Sequence, residues 1–371
     1  MTDDGSAYFL YHSIGQYDGK AQGIAEAMAG FAQSWARPAL GQWDYALGQR
    51  ARFVDRWRDL IGAAEGTVTT AENVTAAFYS LIGALPERHL KGREVLVAGD
   101  CFPSLHFLLT GLSERFGFSL RTVPMRQGAA WVEDEDVIDA WGPDVGLCLL
   151  TWVSSTSSHR VDLDRLVAHG RAQGSVIGVD ITQAAGLLPF DVGAPAVDFA
   201  VSTSLKWMCG TPGAGMLYAA PAIIAEAAPD FRGWFSQTNP FSWDFDAFEF
   251  APDIRRFDNG TPAIVSAVAS VPAMDWHAGQ DHAALLTHTQ GLCETILAGV
   301  TERGLQVVSP RDAGQRGGSI MVRLPDDRPA AEIAGRLEGV GIYCDNRDQV
   351  LRFSPGVMTT AEGVARLLAA L

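Results

Sequence analysis

The chain has 371 residues, 47% apolar and 19% charged, enough to bury a sizeable core in a globular enzyme with one large and one smaller unit. Its net charge of -15 sets most of the surface against nucleic-acid phosphates and anionic membranes, so the expected partner is a small molecule, with no nucleic acid and no membrane. No apolar run of about 18 residues occurs, and Met1-Thr2-Asp3-Asp4 lacks the basic start and apolar stretch of a signal peptide, which points to the cytoplasm.

In chain order, Tyr8-Phe9-Leu10-Tyr11-His12-Ser13-Ile14-Gly15 leads into residues 20–64, rich in Ala, Gln and Arg with apolar residues at helical spacing. Strand-like runs then alternate with helical stretches. Glu94 to Ala98, Leu147 to Leu150, Val176 to Val179 and Phe199 to Val201 are apolar on both sides, as expected of parallel strands covered by helices on two faces. Leu105 to Phe116 and Leu163 to Gln173 are the helix candidates between them. From about Ala263 a long helical pattern runs to Val300, followed by shorter elements that include Ser319 to Arg323 and Val350 to Phe353. The expected organisation is an N-terminal segment (1–45) that contributes to the small domain and the active site, a large cofactor-binding domain (46–262) and a small α+β domain (263–371). The five cysteines, an odd number with no Cys-x-x-Cys spacing, argue against a disulfide framework or a structural zinc. Small buried thiols are the default, with Cys101 and Cys209 beside motif residues, and no metal is expected.

Asp180 and Lys206 each follow an apolar run that reads as a strand ending at a polar site. An open α/β sheet binds ligands beyond the carboxyl ends of its strands, so an acid and an amine would meet there. That pairing suits pyridoxal phosphate: a lysine forms a Schiff base with its aldehyde, and a carboxylate keeps the pyridine nitrogen protonated. Taken singly, the same residues read as a solvated lysine and a turn or helix cap. Thr75, within Thr70-Ala71-Glu72-Asn73-Val74-Thr75 at a helix start, is the candidate phosphate hydroxyl, where an ordinary N-cap is the alternative. Phe102, in Gly99-Asp100-Cys101-Phe102-Pro103-Ser104, has the shape to stack on the ring, and a core Phe is the alternative. Gln183 offers an amide to the ring oxygen, and Thr203 and Ser204 offer hydroxyls, although such groups also serve as helix caps or satisfy backbone. The glycines in Cys209-Gly210-Thr211-Pro212-Gly213-Ala214-Gly215 precede another strand rather than a helix, so they read as a tight turn and not as a dinucleotide fingerprint.

Together these motifs resemble fold-type I pyridoxal phosphate enzymes of the class V aminotransferase group, and within it the kynureninases, over nearly the whole chain. The segment from Tyr8 to Gly15 is similar to the family's opening element, Phe102-Pro103-Ser104 to its ring-stacking motif, and Asp180-Ile181-Thr182-Gln183 to its Asp-x-x-Gln/His segment. The resemblance places Lys206 at the Schiff-base position, Val74 and Thr151 among the cofactor contacts, and Ser13 with Arg352 at the substrate. It implies an α/β fold with a mostly parallel seven-stranded sheet, and a homodimer in which Gly233-Trp234-Phe235 and Arg256 to Pro262, with Trp234 and Thr261, reach the phosphate from the neighbouring subunit. Asp345-Asn346-Arg347 and Leu351-Arg352-Phe353-Ser354-Pro355 resemble the carboxyl-terminal signature, whose later arginine grips the substrate carboxylate with a planar fork.

Departures bear on the reaction. Leu205 stands where kynureninases have Tyr, Leu105 where they have Asp, Gln183 for His, and Thr261 for Asn. These losses of a hydroxyl and a carboxylate argue against hydrolysis of kynurenine itself. The expected chemistry is lyase or hydrolase action on a modified amino acid, ahead of transamination, then carbon-sulfur cleavage or desulfuration, with a non-catalytic cofactor-binding protein last.

Overall fold

The computed structural model describes residues 5–371; Met1 to Asp4, on which the reading of the N-terminus partly rests, lie outside the described residues. Its central sheet comprises β1 (Val68–Ala71), β2 (Glu94–Ala98), β3 (Ser119–Val123), β4 (Val145–Thr151), β5 (Val176–Asp180), β6 (Phe199–Thr203) and β7 (Gly215–Ala219). The order is β1-β7-β6-β5-β4-β2-β3, and among the described residues β7 is the one strand running against the others. The helices are α1 (Lys20–Trp35), α2 (Gln42–Leu60), α3 (Val74–Ile82), α4 (Pro103–Phe116), α5 (Asp134–Ala140), α6 (Leu163–Gln173), α7 (Pro221–Glu226), α8 (Ile264–Ala278), α9 (His282–Glu302), α10 (Ala330–Glu338) and α11 (Ala361–Ala370). A second, antiparallel sheet holds β8 (Gln306–Val307), β9 (Ile320–Arg323), β10 (Asp345–Arg347) and β11 (Val350–Phe353), in the order β10-β11-β9-β8.

Every residue of β5, β6 and β7 is buried, which is why their sequences run apolar without alternation. Burial of side chains such as Val179, Phe199 and Val201 contributes about 1.5–3 kcal/mol each. Gly178 in β5 is required by packing, since a Cβ there would stand 1.8 Å from the Phe199 ring. Local signals set the helix bounds. Pro103 opens α4 and Gly117, at φ 70°, closes it; Asp162 caps α6 by accepting from the Arg165 amide at 3.0 Å, and Gly174, at φ 77°, ends it.

The long helical pattern from residue 263 divides in two. Asp281 caps α9 through the Ala284 amide, and the chain turns at Gly279 and Gln280. Although expected in the 263–371 unit, α8 lies against α1 and α2: Arg52 and Arg56 pair with Asp275, and Tyr17 stacks on Trp276. Its apolar residues recur around most of its circumference, so it has faces to bury on several sides. The N-terminal segment runs beside the second sheet, with Phe9 N donating to Tyr343 O and Ser354 N to Phe9 O, then crosses to the central sheet where Gly15 N meets Leu205 O at 3.0 Å. No helix among the described residues is long and apolar enough to cross a membrane.

Candidate active site

The parallel strands deliver polar groups to one place. Thr151 ends β4 and Asp180 ends β5 as register partners; Thr203 ends β6, three residues before Lys206; Phe102 follows the turn after β2; and Val74 and Thr75 open α3 after β1. All seven line one cavity of about 990 Å³. Asn73 caps α3 through the Ala76 amide, so the first helical N–H groups point outward at the cavity end, as an anion site requires.

The electrostatics fit an acid and an amine acting on one ligand. Lys206 Nζ lies 5.3 Å from the Phe102 ring centroid. Burial lowers the Lys206 amine to about 8, against the pull of Asp180 and aided by the charge of Arg352. Burial raises the Asp180 pKa, opposed by hydrogen bonds from Thr182, whose amide lies 2.9 Å from Oδ1, and by Lys206. A buried carboxylate so placed is stabilised by a cationic N–H donor such as a protonated pyridine nitrogen. Thr151 Oγ1 and Thr203 Oγ1 are buried without a partner, although both residues line the cavity. The acid, the amine, the ring-facing Phe and the unpaired hydroxyls fit pyridoxal phosphate.

Other expected residues are placed differently. Gln183 lines the cavity, but its Nε2 donates to His12 O at 3.0 Å and its Oε1 accepts from Trp207 Nε1 at 3.2 Å, leaving one amide hydrogen free. Ser204 turns away: fully buried and outside the cavity lining, it faces Thr211 O and Ser270 Oγ, at 3.4 and 3.3 Å. Successive residues of an extended chain point to opposite sides, so Thr203 and Ser204 do not both face the ligand. Thr261 is exposed and lines the cavity rim of its own chain. Trp234 lies outside the lining, edge-on to Phe235 and Phe241. Arg352 is 8% exposed and also outside the lining, joined to Asp345 across the β10–β11 hairpin. Ser13 is half-buried in a turn, its amide bonded to Leu10 O. Leu105 is fully buried in the core on α4, so the residue type there bears on packing rather than on cavity polarity.

Three residues to which the sequence assigns no role stand out. His12, one position before Ser13, joins Asp345 and Ser354; its partners are more than 300 positions away, and no local pattern marks them. Arg50, one of several arginines on α2, lines the cavity and donates to Thr69, Thr70 and Asp258, at 2.8, 2.9 and 2.8 Å. Asp258 thereby ties the Asn259–Thr261 segment to β1, and the quoted segment around it was the only available signal.

The fold and these residues define a fold-type I, pyridoxal phosphate-dependent enzyme. The chain belongs to the class V aminotransferase family, whose model matches residues 53–367. It is 29% identical over 330 residues to a kynureninase of Deinococcus radiodurans, covering 86% of this chain and 76% of that protein. It is 26% identical over 327 residues to the uncharacterized aminotransferase YcbU of Bacillus subtilis, covering 86% and 82%. In fold it is similar to the apo cysteine desulfurase of Thermococcus onnurineus, with a TM-score of 0.86 at 16% identity over 99% of this chain and 94% of that one. A C-DES variant with glycine covalently linked to the pyridoxal phosphate cofactor superposes with a TM-score of 0.87 at 21% identity, over 98% and 95% of the two chains.

Proposed function

We propose that this protein is a kynureninase-like lyase or hydrolase that cleaves a modified amino acid, and that it works as a homodimer. The observation that carries the reading is the placement of Lys206 Nζ over the Phe102 ring in the cavity that Asp180 also lines. When bound, pyridoxal phosphate supplies an aldehyde carbon that condenses with amines and a protonated ring that accepts electron density from the substrate α-carbon. Lys206 would hold the cofactor through Nζ, and the same nitrogen, when free, would move the substrate α-proton. A pKa of about 8 leaves the amine partly neutral near physiological pH, as both tasks require. Asp180 holds the ring nitrogen protonated, Phe102 covers a ring face, and Gln183 has one free N–H for the ring oxygen. Val74 and Thr75 at the start of α3, with the Thr203 and Thr151 hydroxyls, receive the phosphate and ring substituents. Arg352 orients the substrate carboxylate.

The kynureninase relative supports cleavage over the rival reactions. Gln183 and Thr261, which resemble the broader class V group, support transamination as the second reading. Desulfuration through a persulfide needs an accessible thiol. Cys101 and Cys209 are buried, neither lines the cavity, and burial pushes both up to about 12. The homodimer is supported by the Phe241, Trp243 and Phe245 side chains, 72%, 75% and 95% exposed, in the stretch that follows Trp234.

Incubating the cofactor-loaded protein with a panel of amino acids and weighing the products tests the reading. A shortened amino acid such as alanine, with the cofactor unchanged, supports cleavage. A keto acid with the cofactor aminated replaces it with transamination, and no turnover of any amino acid removes it.

A further inference from the structure

Arg352 is not a free cation. Asp345, its register partner on β10, meets it as a fork: Nε lies 2.8 Å from Oδ1 and Nη2 2.5 Å from Oδ2. His12 supports the same carboxylate, with Nε2 3.2 Å from Oδ2 and 3.1 Å from Oδ1. The other ring nitrogen, Nδ1, lies 2.7 Å from Ser354 Oγ, which in turn lies 2.6 Å from Ser319 Oγ. An Asp-His-Ser array at these distances suggests a nucleophilic triad, but Ser354 is 0% exposed and no substrate reaches its hydroxyl. The array is a brace. Besides Asp345, His12 has the charges of Arg352 and Lys206 as neighbours. Against the upward push of its own burial, hydrogen bonds from His12 and Arg352 hold Asp345 at about 2, so it is ionised throughout the working range.

A guanidinium offers a carboxylate two bidentate edges, one through Nε and Nη2 and one through Nη1 and Nη2. We propose that Asp345, braced by His12, is a positioning residue that occupies the first edge of Arg352 and leaves only the second for the substrate carboxylate. The inference rests on the substrate role given to Arg352 above. Two consequences follow. The fork is already ordered before substrate arrives, so less side-chain freedom is lost on binding. The negative charge of Asp345 also offsets the cation, so a ligand is held through two-point geometry and not by charge alone, which favours a planar carboxylate. His12 further links this end to the cofactor end, because its carbonyl accepts from Gln183 Nε2.

Titration of the cofactor-loaded protein, followed by the cofactor's visible absorbance, tests the role. The probes are pairs differing only in the carboxylate: L-phenylalanine and 2-phenylethylamine, L-tyrosine and tyramine, L-alanine and ethylamine. In the wild type the amino acid of at least one pair binds more tightly than its amine. Asp345→Ala lowers that preference about tenfold, the isosteric Asp345→Asn about threefold, and neither changes amine binding. On an Arg352→Ala background, Asp345→Ala causes no further loss. Equal weakening of amine and amino acid, or the same loss with and without Arg352, overturns the positioning role while leaving Arg352 as the anchor. A preference that survives Arg352→Ala, or a wild type that prefers no carboxylate, removes the anchor itself and the inference with it. Asp345→Asn preserves the hairpin's shape, so a misfolded Asp345→Ala does not decide the outcome.

Discussion

The site's two ends, the cofactor cavity and the proposed substrate anchor at Arg352 outside its lining, are built in different ways. At the cofactor end, Thr151, Asp180 and Thr203 are the last residues of buried strands, and each is fixed by a ladder of backbone hydrogen bonds. At the other end, Arg352 lies on a short hairpin, and its side chain is held by Asp345, which His12 braces from more than 300 residues away in sequence. Backbone ladders tolerate the loss of one neighbouring side chain. A side-chain network does not, because each member removed leaves another buried and unpaired. The cofactor end is therefore the more robust in structure, and the proposed anchor the more open to change.

The largest effect is expected from Lys206→Ala at the cofactor end. Turnover falls at least about a thousandfold in steady-state assays, with the fold retained by circular dichroism, because the site loses its amine and its base. Next, Gly15→Ala separates the two ends. A Cβ at Gly15 would stand 2.0 Å from Lys206 O and 2.7 Å from Cys209 Sγ, pushing the N-terminal segment off the turn that carries the lysine. A loss of about 2–3 kcal/mol in denaturant unfolding is expected. Both ends lose function if they are coupled through this segment; if only carboxylate binding weakens, the coupling is one-sided.

The pH dependence of cofactor uptake has a smaller effect. The nucleophile is the neutral amine, and burial lowers Lys206 from 10.5 to about 8. The rate at which apoprotein gains visible absorbance on mixing with pyridoxal phosphate should rise about tenfold per unit up to about pH 8, then level off. A rate still climbing toward about pH 10 indicates an unperturbed lysine. Smallest is Thr203→Val, which removes a buried hydroxyl that has no protein partner. Stability without cofactor stays the same or rises slightly, while cofactor affinity by equilibrium titration falls about fivefold, the loss of one hydrogen bond.

Much of the central sheet is legible in the sequence because its strands are buried on both faces. The runs Glu94 to Ala98 and Val350 to Phe353 coincide with β2 and β11, and Leu163 to Gln173 with α6, which carries its own cap and terminal glycine. Edge strand β3 was not legible: Ser119, Arg121 and Thr122 face solvent, so no apolar run marks it. β10 consists of Asp345, Asn346 and Arg347, side chains kept for polar contacts rather than for the core. Among site residues, Asp180 and Lys206 could be read because strand ends announce themselves. The facing of Ser204 depended on where β6 ends, and His12 on a contact formed only when the chain's first and last segments meet.

The chain has three lysines: Lys20, bonded to Gly15 O; Lys91, paired with Glu87; and Lys206 in the cavity. Borohydride reduction of the cofactor-loaded protein, followed by digestion and peptide mass analysis, therefore gives an unambiguous answer. The account predicts one pyridoxyl group per chain, on the peptide containing Lys206. A group on Lys20 or Lys91, or no stable adduct, would contradict it.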